Sequence, residues 1–126
     1  MVRHTCVLSR WIKKGIMFYG TGINEYQVDG KIKSTHAEIN ASNSLKYSKK
    51  KRKKKINFCV FTTNKHKGNK LITSRPCYNC LFNSFNKCLK KGYIIQRYYY
   101  FDDNNELNYY STSQIREMLE RREVFY

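Results

Sequence analysis

Residues 76–101 read PCYNCLFNSFNKCLKKGYIIQRYYYF, and this stretch decides the class of fold. Pro76 suits the opening of a helix, because its fixed φ is already helical and its missing N–H is not needed there. A helix is predicted over residues 77–89, and Gly92 stops it. The next segment, Tyr93–Phe101 (YIIQRYYYF), is rich in aromatic and β-branched residues and is the strongest strand candidate in the chain. Residues 102–105 then form a turn.

Working outward, residues 107–112 read as a short strand, and Ser113 as the cap of a last helix reaching about residue 122. Upstream, residues 56–62 (INFCVFT) have strand character, and residues 64–70 form a polar turn around Gly68. Residues 5–10 (TCVLSR) and 15–20 (GIMFYG) read as a hairpin joined by residues 11–14, with Gly20-Thr21-Gly22 ending its second strand. Residues 23–33 are polar enough for a loop, and a helix is expected from Thr35 or His36 to about Tyr47. Between that helix and the strand at 56–62 lies a basic run, residues 46–55 (KYSKKKRKKK), expected as a solvated loop or helix extension. The order strand, strand, helix, strand, helix, strand, short strand, helix predicts an α/β fold with a mixed sheet. Without internal repeat or linker, residues 1–126 read as one domain carrying a basic insertion at 46–55.

The chain has a formal net charge of +16, which favours anionic partners such as nucleotides or nucleic acid. The abundance of Lys, Asn, Tyr, Ile and Phe also matches A- and T-rich codons, as in some large DNA viruses and some protists, so codon bias stands beside anionic partners as a source of the charge. No signal peptide or membrane-spanning run is evident, which predicts a soluble, intracellular, cytoplasmic protein without a membrane partner. Five cysteines, an odd number with one CxxC pair, fit a reducing compartment and a metal site better than a disulfide framework.

Two motifs carry the chemistry: His36-Ala37-Glu38 and Pro76-Cys77-Tyr78-Asn79-Cys80, each at a predicted helix start. Cys77 and Cys80, three apart, share a helical face and can grip one ion, and a helix N-terminus lowers thiolate pKa. His36 is the third candidate ligand. Three protein ligands leave a tetrahedral zinc one open position for water, as in catalytic sites. Glu38 sits roughly 200° around the helix from His36 and so suits the open side as acid/base rather than as a ligand.

This pair of motifs resembles the zinc-dependent cytidine and deoxycytidylate deaminase superfamily, whose signature is H-x-E followed by P-C-x-x-C. The string His36-Ala37-Glu38-Ile39-Asn40-Ala41 resembles the deoxycytidylate deaminase version. The resemblance implies a three-layer fold with helices on both faces of a mixed sheet, and Zn2+ bound by His36, Cys77 and Cys80. It also implies Glu38 as proton shuttle in hydrolytic deamination of a cytosine base, in a free nucleotide or in single-stranded nucleic acid. Gly22-Ile23-Asn24 matches a G-x-N element, which assigns Asn24 to substrate, with the backbone N–H groups of Ala37 and Cys77 lining the pocket. Homo-oligomers are common in the family. The chain departs from the family pattern in lacking a helix before the first strand and in a long stretch between Glu38 and Cys77.

Plainer readings stand beside these. Thr35-x-x-Glu38 is also a capping box, which needs no metal. A closed structural zinc site from Cys77, Cys80 and Cys88 with His66 or His36 is a rival, although Cys88 lies about two turns beyond Cys80. Cys6 and Cys59 read as core, His4 as idle and His66 as solvated. The basic residues Lys49, Lys50, Lys51, Arg52, Lys53, Lys54 and Lys55 read as a phosphate-backbone contact, a nuclear import signal or a solvated insertion. Tyr98-Tyr99-Tyr100 and Trp11 are candidate stacking surfaces, and alternation along a strand buries at least one of the three tyrosines. The second functional reading is a zinc-stabilised, inactive deaminase-fold protein that binds nucleic acid, in the nucleus or a virion.

Overall fold

The computed structural model describes residues 2–26, 37–64, 70–72 and 74–125. The chain opens with a long antiparallel hairpin, β1 (Val2–Ile12) and β2 (Gly15–Tyr26), turning at Lys13 and Lys14. There follow α1 (Ala37–Ser44), β3 (Lys54–Asn64), β4 (Lys70–Ile72), α2 (Tyr78–Lys91), β5 (Tyr93–Phe101), β6 (Leu107–Ser111) and α3 (Thr112–Arg121). The sheet runs β2-β1-β3-β5-β6, and β4 pairs with the far end of β3. β3 and β5 are parallel and the other paired neighbours antiparallel, so the fold is α/β with a mixed sheet.

Local signals place α2 and β5 well. The Cys77 Sγ caps α2 by accepting from the Cys80 N–H at 3.3 Å, and Gly92 ends the helix at a φ of 92°, a left-handed conformation that glycine takes without a Cβ penalty. Elsewhere the boundaries move. Trp11 and Ile12 belong to β1 rather than to the connecting turn, and β2 runs past Gly20-Thr21-Gly22 to Tyr26. The glycines do not end the strand; they let α1 lie on it. A Cβ on Gly22 would stand 2.1 Å from the Ala37 carbonyl oxygen and 2.3 Å from the Ala41 nitrogen. β3 begins at Lys54, so Lys54 and Lys55 belong to a strand and not to the basic loop, drawn in by pairing with Tyr93 and Ile94 of β5. Of the expected polar turn at 64–70, Asn64 belongs to β3 and Lys70 opens β4, a short strand that only its pairing with β3 defines, while residues 65–69 lie outside the described residues. The cap of α3 is Ser111, not Ser113, because Ser111 and Gln114 form a reciprocal capping box. His4 is not idle: it sits half-buried in β1 with Nδ1 2.6 Å from the Thr62 hydroxyl. Thr35, His36 and His66 lie outside the described residues.

The crossovers β2–α1–β3 and β3–α2–β5 step the same way along the sheet, so right-handed connections put α1 and α2 on one face. α3 joins them there, where the Tyr78 hydroxyl of α2 reaches the Leu119 carbonyl at 3.4 Å. One core results. Cys6, Leu8, Phe58, Ile95 and Tyr98 of the sheet pack against Ala41, Leu81, Phe85, Ile115 and Met118 of the three helices. The second helical layer expected on the opposite face has no member among the described residues.

α1 is only 8 residues long and leans on α2. The Lys91 ammonium donates to the carbonyls of Ser42, Asn43 and Leu45 at 2.8–2.9 Å, answering groups that a helix C-terminus leaves without intrahelical partners.

Candidate metal centre

Helices α1 and α2 pack side by side, so their N-terminal turns bring the two sequence motifs together. Ala37 and Glu38 open α1 and both are buried; Cys77 caps α2 and Cys80 lies buried in its first turn. Glu38 is only 4% exposed. Burial pushes its carboxyl up to about 7; the Cys77 thiol adds to the rise, while the Cys80 thiol and the Tyr98 hydroxyl act in the opposite direction. A carboxylate removed from water holds its proton more tightly, and a nearby negative charge strengthens that hold.

Two polar atoms in this nest are left unanswered. Glu38 Oε2 and the Tyr98 hydroxyl are both buried without a hydrogen-bond partner among the described residues. Each acts electrostatically on the other. Buried polar atoms of this kind are rare and mark a place where a ligand or water belongs.

Of the expected zinc ligands, Cys77 and Cys80 stand together at the start of α2, and His36 lies outside the described residues, immediately before α1. Among the described residues no group of three or more His, Cys, Asp or Glu side chains is arranged to hold a metal ion. The donor chemistry fits zinc: two thiols on one helical turn with a buried, unpartnered carboxylate oxygen beside them. Asn24 lies in β2, backbone-paired with His4, and its side chain is outside the described structure. The rival closed site loses Cys88, which is buried against α1 with its Sγ 3.9 Å from the Ser42 hydroxyl. Burial pushes the Cys88 thiol up to about 11, the opposite of what a ligand needs. Lys49–Lys53 stay exposed in the segment before β3.

Sequence reasoning missed two members of the nest. Tyr98 is fully buried and faces Glu38 from β5, and Cys6 faces it from β1, its thiol raised by burial and then by Glu38 itself. Alternation in YIIQRYYYF was the available signal for Tyr98, but an irregularity in β5 shifts its phase. β3 residues Ile56 and Asn57 pair with Ile95 and Arg97, which leaves Gln96 as an extra residue. Tyr98 and Tyr100 therefore point into the core and Tyr99 points away.

No protein-family model matches the chain, and no curated protein or solved structure matches it either. No helix among the described residues is long and apolar enough to cross a membrane.

Proposed function

We propose that this chain is a zinc-dependent hydrolytic deaminase of a cytosine base, carried by a free nucleotide of the dCMP or cytidine type or by single-stranded nucleic acid. The reading rests on one observation above the others: the buried, unpartnered Oε2 of Glu38 beside Cys77 and Cys80. The order of strands and helices supports a cytidine-deaminase-like fold, whose outer helical layer has no counterpart among the described residues.

His36, Cys77 and Cys80 would hold the ion, which when bound supplies an acidified water at neutral pH. The reaction adds water across the N3–C4 bond of cytosine and then breaks the C4–N4 bond to expel ammonia, leaving uracil. Glu38 accepts a proton from the water through Oε2, passes it to the ring nitrogen, and serves the departing amine in turn. The packed helices around Glu38 exclude bulk water from these transfers. Backbone N–H groups in the first turns of α1 and α2 have no intrahelical partner and suit a base carbonyl.

The second reading, a zinc-stabilised scaffold that binds nucleic acid without chemistry, is favoured by the exposed cations at 49–53 and the net charge of +16. Ammonia release separates the two. Zinc-loaded protein is incubated with dCMP, cytidine and cytosine-containing single strands, with Glu38→Gln as the control. Release from one of these, reduced by about 100-fold or more in the variant while zinc content is kept, supports the enzyme. Absence of release from all three, with strand binding intact, supports the scaffold.

A further inference from the structure

The face of the sheet turned away from the helices carries a second constellation. Lys55 and Asn57 on β3, Trp11 at the end of β1, and Arg97 and Tyr99 on β5 line a hollow of about 340 Å3 together with Arg10. That volume lies at the small end of the range for ligand pockets. Among the described residues three cations line it and no carboxylate does. None of Arg10, Lys55 and Arg97 is ion-paired among the described residues, whereas Arg75 and Arg121 each have a carboxylate partner.

The aromatic part is ordered by one of these cations, Arg97. The Arg97 guanidinium lies 4.6 Å from the centroid of Tyr109, and its Nη1 donates to the Tyr99 hydroxyl at 3.2 Å. Tyr99 and Tyr109 are themselves neighbours, with ring centroids 5.5 Å apart. Trp11 is 69% exposed, an unusual cost for so large an apolar surface, and Tyr109 is 46% exposed. Asn57 is 7% exposed, and its Oδ1 has no hydrogen-bond partner among the described residues. A buried unanswered acceptor in a basic, aromatic-lined hollow points to a ligand that brings hydrogen-bond donors, negative charge and a flat ring.

We infer that this open sheet face binds single-stranded nucleic acid, with one nucleotide seated in the hollow between Trp11, Asn57 and Arg97. Arg10, Lys55 and Arg97 neutralise phosphate, Trp11 and Tyr99 offer rings for stacking, and Asn57 Oδ1 accepts from a base N–H. A duplex is disfavoured because its bases are already stacked on one another. A strand is favoured over a free nucleotide because the platform continues past the hollow to Tyr109, and Lys55 connects directly through Lys54 to the exposed cations at 49–53. The site lies across the sheet from Glu38, Cys77 and Cys80, and the inference does not rest on the deaminase reading.

Trp11 is the only tryptophan of the chain, so its emission reports on the hollow directly. The full-length protein is titrated at low salt with an eight-residue oligothymidylate, with dTMP and with a duplex of equal length. Thymine has no exocyclic amine, so deamination does not enter the measurement. The expected result is saturable quenching by the single strand, at least tenfold tighter than by dTMP, and little quenching by the duplex. Arg97→Ala and Arg10→Ala should each weaken binding roughly tenfold with an unchanged thermal midpoint; the second variant keeps the test intact should the first disturb β5. Strand binding that leaves Trp11 emission unchanged overturns the inference. So does an affinity that neither substitution alters, with the exposed cations at 49–53 then carrying the strand. Equal binding of dTMP, or no binding at all, overturns it as well.

Discussion

Gly22 shows how one residue sets the distance between layers. Its Cα hydrogen is all that fits between β2 and α1, because an added Cβ would meet the backbone of Ala37 and Ala41 rather than a flexible side chain. Gly22→Ala is expected to cost at least about 3 kcal/mol, read as a lower urea midpoint at unchanged m-value. A loss under about 1 kcal/mol would show that α1 does not lie so close. His4 makes a different prediction. Burial holds its imidazole below the ordinary value of 6.5, so the fold favours the neutral ring. Its contribution is complete above pH 6.5 and is lost as pH falls through the lower folded-state value. The stability difference between wild type and His4→Gln should therefore shrink or reverse between pH 7.5 and pH 5, as followed by urea unfolding at each pH.

At the scale of elements, the weak member is α1. It is too short to be stable alone, and the last turns of α2 support it at Ser42, through the Cys88 thiol and the Lys91 ammonium. Lys91→Met keeps the aliphatic stem but leaves three carbonyls at the α1 C-terminus without their charged donor. A loss of about 2 kcal/mol is expected, seen as a drop of several degrees in thermal midpoint. Because α1 carries Glu38, the proposed deaminase reading expects the same substitution to lower ammonia release more than it changes zinc content. α2 needs no such help, with its Cys77 cap, its left-handed Gly92 and a buried face of Leu81, Phe85 and Cys88.

For the whole molecule, the two faces of one sheet divide the chemistry. The helical face buries Glu38 among Cys6, Cys77, Cys80 and Tyr98, and the open face presents Trp11, Arg97, Tyr99 and Tyr109. If His36, Cys77 and Cys80 hold an ion that ties α1 to α2, its removal loosens the entire helical layer. Chelation is expected to lower the thermal midpoint by more than about 5 °C, and added zinc to restore it. Cys77→Ser should remove that dependence, as measured by scanning calorimetry with and without chelator.

What could be read from the sequence was local. The stop of α2, the limits of β5, and the placing of both motifs at helix starts follow from Gly92 and residue type, which act within a turn or a pleat, whereas Pro76 stands before the Cys77 cap rather than at the first helical position. The α/β class with its mixed sheet follows from the order of those elements. The tertiary structure alone decided three matters. Gly20 and Gly22 look like strand terminators until α1 is seen lying on them. The depth of Glu38 depends on Cys6 and Tyr98, two residues from strands far apart in the chain. The phase of β5 turns on the extra residue Gln96, which the pairing with β3 creates and no propensity within YIIQRYYYF encodes. That single offset sends Tyr98 towards Glu38 and Arg97 and Tyr99 to the open face, because a strand's side chains alternate and a one-residue shift exchanges its two sides.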